Sequence, residues 1–100
     1  MKTFDLIKKL VSVPAVGGEE EKIMSMLKDI LSSYGKVETD AVNNVICTFG
    51  EGYHILLDAH IDEIGLTVTS VSGDGFLKVA ACGGVDKRML LGSEVTVWGN

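Results

Sequence analysis

Two periodicities divide the chain. Phe4, Leu6, Ile7, Leu10 and Val11 recur at helical spacing and predict a short amphipathic helix over Thr3–Val11, with Thr3 as its N-cap. Pro14 bars any continuation, so residues 12–18 read as a loop. Ile23, Met26, Leu27, Ile30, Leu31 and Tyr34 then form one apolar stripe, the signature of a second helix. Glu19, Glu20 and Glu21 fall at its expected first turn, where the macrodipole favours acids, and Gly35 is placed for a C-cap. The methionines of this stripe read as core filler.

After Gly35 the period changes from helical to alternating. Residues 36–40 predict a strand, residues 40–44 a turn, and residues 45–49 a second strand. Gly50-Glu51-Gly52 is a tight connection to the apolar run 53–57, so 45–49 and 53–57 are expected to pair as an antiparallel hairpin. Beyond Gly65 short strands alternate with glycine turns: 66–71, the turn 72–75, 76–80, a break at 81–84, and a last strand over 94–98. That texture suggests a small barrel or sandwich instead of another βαβ unit. The expected organisation is therefore α/β over residues 1–65, with separate β structure over 66–100.

The stretch joining the two textures carries the chemistry. Ile55-Leu56-Leu57 reads as a buried strand, and Asp58, His60, Asp62 and Glu63 crowd its C-terminal end. In open α/β sheets, ligands gather beyond the carboxyl ends of strands. A neutral imidazole there can ligate a divalent metal through one ring nitrogen, provided that the other finds an acceptor. Residues two apart in extended backbone share a side, so Asp62 can be that acceptor for His60. The competing reading is a structural histidine bonded to backbone. His54 reads as solvent-facing filler; Asp58 and Glu63 have the chemistry of ligands, but the favoured reading of each is a turn cap or a lysine partner.

Composition narrows the function. A chain of 100 residues with 46% hydrophobic and 23% charged content is one ordinary globular core. A net charge of −5 and no basic patch argue against nucleic acid or an anionic membrane as partner. No apolar run approaches the roughly 20 residues of a membrane span. The opening Met1-Lys2-Thr3-Phe4-Asp5 lacks a signal peptide's apolar core, which makes a cytoplasmic location the expectation. Cys47 and Cys82 have no Cys-x-x-Cys spacing and read as reduced, structural residues. Gly83-Gly84 lacks the Gly-Lys-Ser/Thr ending of a phosphate loop, no Gly-x-Ser-x-Gly elbow occurs, and Asp86-Lys87-Arg88 reads as a solvated turn.

These motifs together resemble a known family, the dinuclear metal aminopeptidases of the glutamyl and deblocking type, which form tetrahedral dodecamers. Some of its members are labelled endoglucanase or cellulase. The resemblance rests on Ser12-Val13-Pro14 with Gly18-Glu19, on Asp40 followed by Asn43-Asn44-Val45-Ile46, and above all on Ala59-His60-Ile61-Asp62-Glu63-Ile64-Gly65. Asp74-Gly75-Phe76-Leu77, Gly83-Gly84 and Leu91-Gly92-Ser93-Glu94-Val95 follow in the family's order. Asn43-Asn44 stands where many members have Gly-Asn, a departure that concerns the turn.

The resemblance implies a homo-oligomeric metallopeptidase acting on peptides. Residues 1–65 would be the first part of an α/β catalytic domain, and residues 66–100 the first strands of an inserted β-barrel-like domain. His60 would be a metal ligand and Asp62 the catalytic-site carboxylate that orients it. The full enzyme would hold two divalent ions, zinc or else cobalt or manganese. Its bridging Asp, Glu-Glu pair, further Asp and late His would fall beyond Asn100.

The last strand stops at Asn100 with no closing element, so the chain is expected to be the opening portion of a longer polypeptide. A native product with a mass near 10.7 kDa would overturn that expectation. Alone, the 100 residues should be inactive and bind zinc weakly, because a catalytic zinc takes three protein ligands. Two other readings stand beside this one. One is a non-catalytic assembly or interaction piece; the other is a glycoside hydrolase, which needs paired carboxylates across a sugar bond.

Overall fold

The computed structural model describes residues 2–99. They divide into two compact units, one running to Glu63 and the other starting at Ile64. The content is mixed helix and strand.

Helix α1 spans Thr3–Val11, the bounds that its apolar spacing predicts. Its cap is Lys2, in extended backbone without a side-chain bond, so Thr3 is the first helical residue and not the N-cap. Lys8 and Lys9 lie in the last turn, favourable to the macrodipole. Leu6 and Leu10 are half-buried, while Phe4, Ile7 and Val11 are exposed.

Helix α2 spans Glu21–Leu31. Only Glu21 sits in its first turn, because Glu20 takes the N-cap position. The Glu20 carboxylate turns back to accept the Gly18 N–H at 2.9 Å, which ties the helix start to the preceding loop. Ile23 is the most deeply buried large side chain among the described residues, and Met26, Leu27, Ile30 and Leu31 are half-buried along the same stripe. Tyr34 lies past the helix end and is exposed.

The C-cap is Ser32 and not Gly35. Gly35 is required for space instead. A Cβ there would lie 2.3 Å from the Thr48 carbonyl oxygen, so the chain can pass close to the neighbouring strand only without a side chain.

Strand β1 (Lys36–Thr39) pairs antiparallel with β2 (Val45–Thr48), in a register that sets Lys36 opposite Thr48 and Thr39 opposite Val45. Val45 and Cys47 are half-buried and Ile46 and Thr48 exposed, the alternation of a strand covered on one face. Helix α2 packs on β2, and the Cys47 thiol reaches the Leu31 carbonyl at 3.6 Å. Neither cysteine is in a disulfide.

The connection over 40–44 is organised by one side chain. Asp40 Oδ1 accepts from the Val42 and Asn44 amides at 3.0 and 2.8 Å, and Oδ2 accepts from the Asn44 side chain at 2.7 Å. Asn43 holds φ at +66°, a left-handed conformation that Asn tolerates and Gly adopts freely. The departure from Gly-Asn therefore leaves the turn intact. The Asn44 side-chain bond, followed by the backbone bonds, holds the Asp40 carboxyl below its ordinary value of 3.8. A depressed pKa stabilises the fold above the unfolded value, and the contribution disappears as pH falls through the folded value. The turn should thus stay closed down to pH 3.8 and open below it. Following the Val42 and Asn44 amide shifts by NMR checks this; Asp40→Ala should abolish the acid transition at those two amides.

Two expectations for this unit fail. Residues 53–57 form no strand, and β2 pairs with β1 instead of with them. Ile55, Leu56 and Leu57 are 86%, 85% and 89% exposed, so the run is not buried either. A doubly covered strand is held by neighbours on both edges and layers on both faces. Among the described residues no strand pairs with this run.

In the second unit, β3 (Gly65–Val71) and β4 (Leu77–Cys82) form an antiparallel hairpin with Gly65 opposite Cys82 and Val71 opposite Leu77. A register shift between Val68 and Ser70 marks a bulge. The predicted turn closes by reciprocal bonds between Ser72 and Phe76, with Gly75 at φ +88°. Gly83, at φ +76°, ends β4 where a Cβ would meet Ile64 Cγ2 at 2.9 Å.

Residues 86–88 are more than a solvated turn. Lys87–Leu90 is a short 3₁₀ helix whose cap, Asp86, accepts the Arg88 N–H at 3.0 Å and the Arg88 guanidinium at 2.7 Å. The last predicted strand, 94–98, is absent, and Val95, Val97 and Trp98 are exposed: their alternation finds no ladder partner. Asn100, where that strand was expected to stop, lies outside the described residues. No helix among the described residues is long and apolar enough to cross a membrane.

Candidate functional site

Since 53–57 is not a strand, His60 does not sit at a strand's carboxyl end. It lies in irregular backbone between that exposed run and Glu63. The local geometry nevertheless brings the expected pair together. With the proton on Nδ1, the His60 ring donates to Asp62 Oδ1 at 3.1 Å, and the Asp62 carbonyl lies at 3.1 Å as well. Both acceptors come from one residue, so the ring is oriented by its own chain two positions on.

This arrangement assigns the tautomer. Nδ1 is engaged, which leaves Nε2 as the unprotonated nitrogen with its lone pair outward. The side chain of His60 is 88% exposed, so the described residues leave that nitrogen open. A neutral imidazole whose rear nitrogen is held by a carboxylate is a recurrent metal-ligand arrangement, with the carboxylate raising the ring's basicity. The donor set thus fits one ligand of a divalent cation. No cluster of three or more metal-binding side chains occurs among the described residues. His54 is exposed, in keeping with filler.

Glu63 is the residue that sequence reading placed wrongly. Neither a lysine partner nor a turn cap, it joins the loop 48 residues before it. Its Oε1 accepts the Ala15 N–H at 3.0 Å, and its own N–H donates to the Ala15 carbonyl at 2.8 Å. Val16 and Glu63 form a parallel bridge at the same point. Ala15 is 4% exposed, so its amide has no access to water and needs this acceptor. No local pattern announces such a bond, because the two residues meet only through the fold. A loop that carries Pro14 and two glycines, and that must find partners for its amides, is the nearest thing to a signal.

Comparison with known proteins decides the family. The family model of the M42 glutamyl aminopeptidases matches residues 43–100. The chain belongs to that family. Over 101 residues it is 33% identical to the lysyl aminopeptidase of Pyrococcus furiosus, covering 95% of this chain and 28% of that protein. Over 103 residues it is 28% identical to the glutamyl aminopeptidase of Lactococcus lactis, covering 98% and 29%. A solved structure described as PhTET1-12s, a dodecamer in the asymmetric unit, matches with a TM-score of 0.80 and 35% identity over 90% of this chain and 28% of that one. The chain therefore spans little more than a quarter of the length of these M42 relatives.

Proposed function

We propose that this chain is a part of a metal-dependent aminopeptidase, which removes N-terminal residues from peptides. The observation that carries the reading is the His60–Asp62 pair, 3.1 Å apart with Nε2 outward, in a chain of the M42 family. His60 would supply one ligand of a divalent metal site, with zinc, cobalt or manganese all compatible with a single imidazole. Asp62 would hold the ring in the Nδ1–H tautomer and offset the charge that the imidazole gains on ligation. A bound divalent ion supplies Lewis-acid polarisation of the scissile carbonyl and lowers the pKa of water. Two such ions, the general base and the remaining ligands belong to the rest of the protein.

In the same reading, residues 1–65 begin an α/β catalytic domain and residues 66–100 begin an inserted β-barrel-like domain. The bulged β3–β4 hairpin supports the latter, since bulges bend a strand in the way that a barrel wall requires. A homo-oligomer is part of the proposal, supported by the dodecameric state of the PhTET1-12s structure.

The test is an assay of the whole gene product on aminoacyl-anilides and on carboxymethylcellulose, with and without a chelator. Anilide hydrolysis should be abolished by the chelator and restored by zinc or cobalt. Chelator-insensitive cellulose hydrolysis would reject the peptidase in favour of a glycosidase, and inactivity on both would favour an assembly piece. The 100 residues alone should turn over no anilide and bind zinc weakly by calorimetry, since a catalytic zinc takes three protein ligands.

A further inference from the structure

We infer that Glu63 is a positioning residue for the metal ligand His60: a two-point latch to Ala15 that fixes the backbone on which the His60–Asp62 pair stands. The inference rests on the reading of His60 as a ligand.

Residues 54–62 form no helix or strand. A ring on such a segment is aimed only as well as its backbone is held, and a ligand must be placed within about 0.5 Å of its productive position. The Asp62 bonds orient the ring relative to Asp62 but do not anchor the segment to the rest of the unit. Glu63 does so. It is bonded on both sides of Ala15, through its N–H at 2.8 Å and its carboxylate at 3.0 Å, and it sits one residue after the orienting Asp62.

Ala15 is a rigid base for such a latch. It is one of the two buried core residues among those described, and the loop that carries it is stiffened by Pro14 and by the bond from the Gly18 amide to Glu20 at the start of α2. The path from α2 through Ala15 and Glu63 to Asp62 and His60 runs through the chain itself and these backbone and carboxylate bonds, all within the first unit. What matters at position 63 is an acceptor at the reach of a glutamate; its charge is secondary.

The experiment uses the whole gene product, stripped of metal and titrated with Zn²⁺ by calorimetry, with the Co²⁺ absorption spectrum as a second readout. Glu63→Gln keeps the acceptor and the reach, and should bind within about twofold of the parent. Glu63→Ala removes the acceptor, and should weaken zinc about tenfold and alter the cobalt spectrum, the lower end of what partners behind a ligand contribute. Glu63→Asp keeps the charge and loses the reach, and should behave like Glu63→Ala. If Glu63→Ala fails to fold, the contrast between Glu63→Asp and Glu63→Gln carries the test.

Parent-like zinc affinity in Glu63→Asp would overturn the latch, and so would Glu63→Gln as weak as Glu63→Ala or Glu63→Asp. His60→Ala separates the two readings. If it weakens zinc while the Glu63 series stays level, the latch alone fails. If His60→Ala leaves zinc affinity unchanged, the metal reading fails and the latch falls with it.

Discussion

His60→Ala is expected to lower the zinc affinity of the whole protein at least 100-fold and to remove its anilide-hydrolysing activity. The magnitude follows from the position of the residue. Groups that only orient a ligand contribute 10- to 100-fold in affinity, and the ligand itself contributes more. The exposure of the ring matters as well, because the described residues leave Nε2 open and few contacts are lost with the ring. Compared metal-free, His60→Ala should therefore keep the parent's thermal midpoint although it has lost the zinc affinity, a combination that a structural histidine would not give. Asp62→Ala should cost about 10- to 100-fold in zinc affinity, because the imidazole persists but loses its fixed tautomer and orientation. Unchanged zinc binding and activity in His60→Ala would end the proposal.

Gly35→Ala is expected to destabilise the first unit by about 3 kcal/mol, the upper part of the range for overpacking. The added Cβ would lie 2.3 Å from the Thr48 carbonyl oxygen and 2.9 Å from Phe49 Cβ. The first of these is backbone of the strand region itself, so no rotamer change can relieve the contact. Relief requires the chain to separate from β2, which opens the β1–β2 pairing at Lys36–Thr48 and loosens α2 above it. In a domain of this size the midpoint should fall by on the order of 15 °C. Gly73→Ala is the control: a Cβ there meets nothing within 4 Å, and its φ is not in the left-handed range. It should leave the midpoint nearly unchanged. A Gly35→Ala variant as stable as Gly73→Ala would show that the close approach is absent in solution.

Helix α1 was legible down to its bounds, since five apolar residues at helical spacing before Pro14 permit little else. The stripe of α2 was legible too, though its ends were not. Capping residues compete, and Glu20 and Ser32 took positions that Glu19–Glu21 and Gly35 also suited on sequence grounds. Position 35 is legible as a glycine site, but the need for space there is not, because closeness to Thr48 is not a local property. The hairpin turn at 40–44 was read correctly because Asp40 builds it from bonds to residues within four positions.

The strand pairings were the weaker part. Residues 45–49 were expected to pair forward with 53–57 and pair backward with β1. Both candidates are near in sequence, and alternation within 45–49 does not choose between them. The runs 53–57 and 94–98 have strand-like composition without strand structure, since a strand exists only where another chain segment supplies its ladder.

The pair at the centre of the proposed function divides along the same line. That His60 and Asp62 would meet followed from a spacing of two, because neighbours so close in the chain need no distant help to touch. The family followed as well, from several short motifs in order. What only the tertiary structure decided is how that pair is held. The Glu63 carboxylate reaches a buried amide 48 residues away, a bond that exists because the loop at Ala15 and the segment at Glu63 fold side by side. Contacts made along the chain are written in local spacing, whereas contacts made across it depend on which surfaces the whole fold brings together.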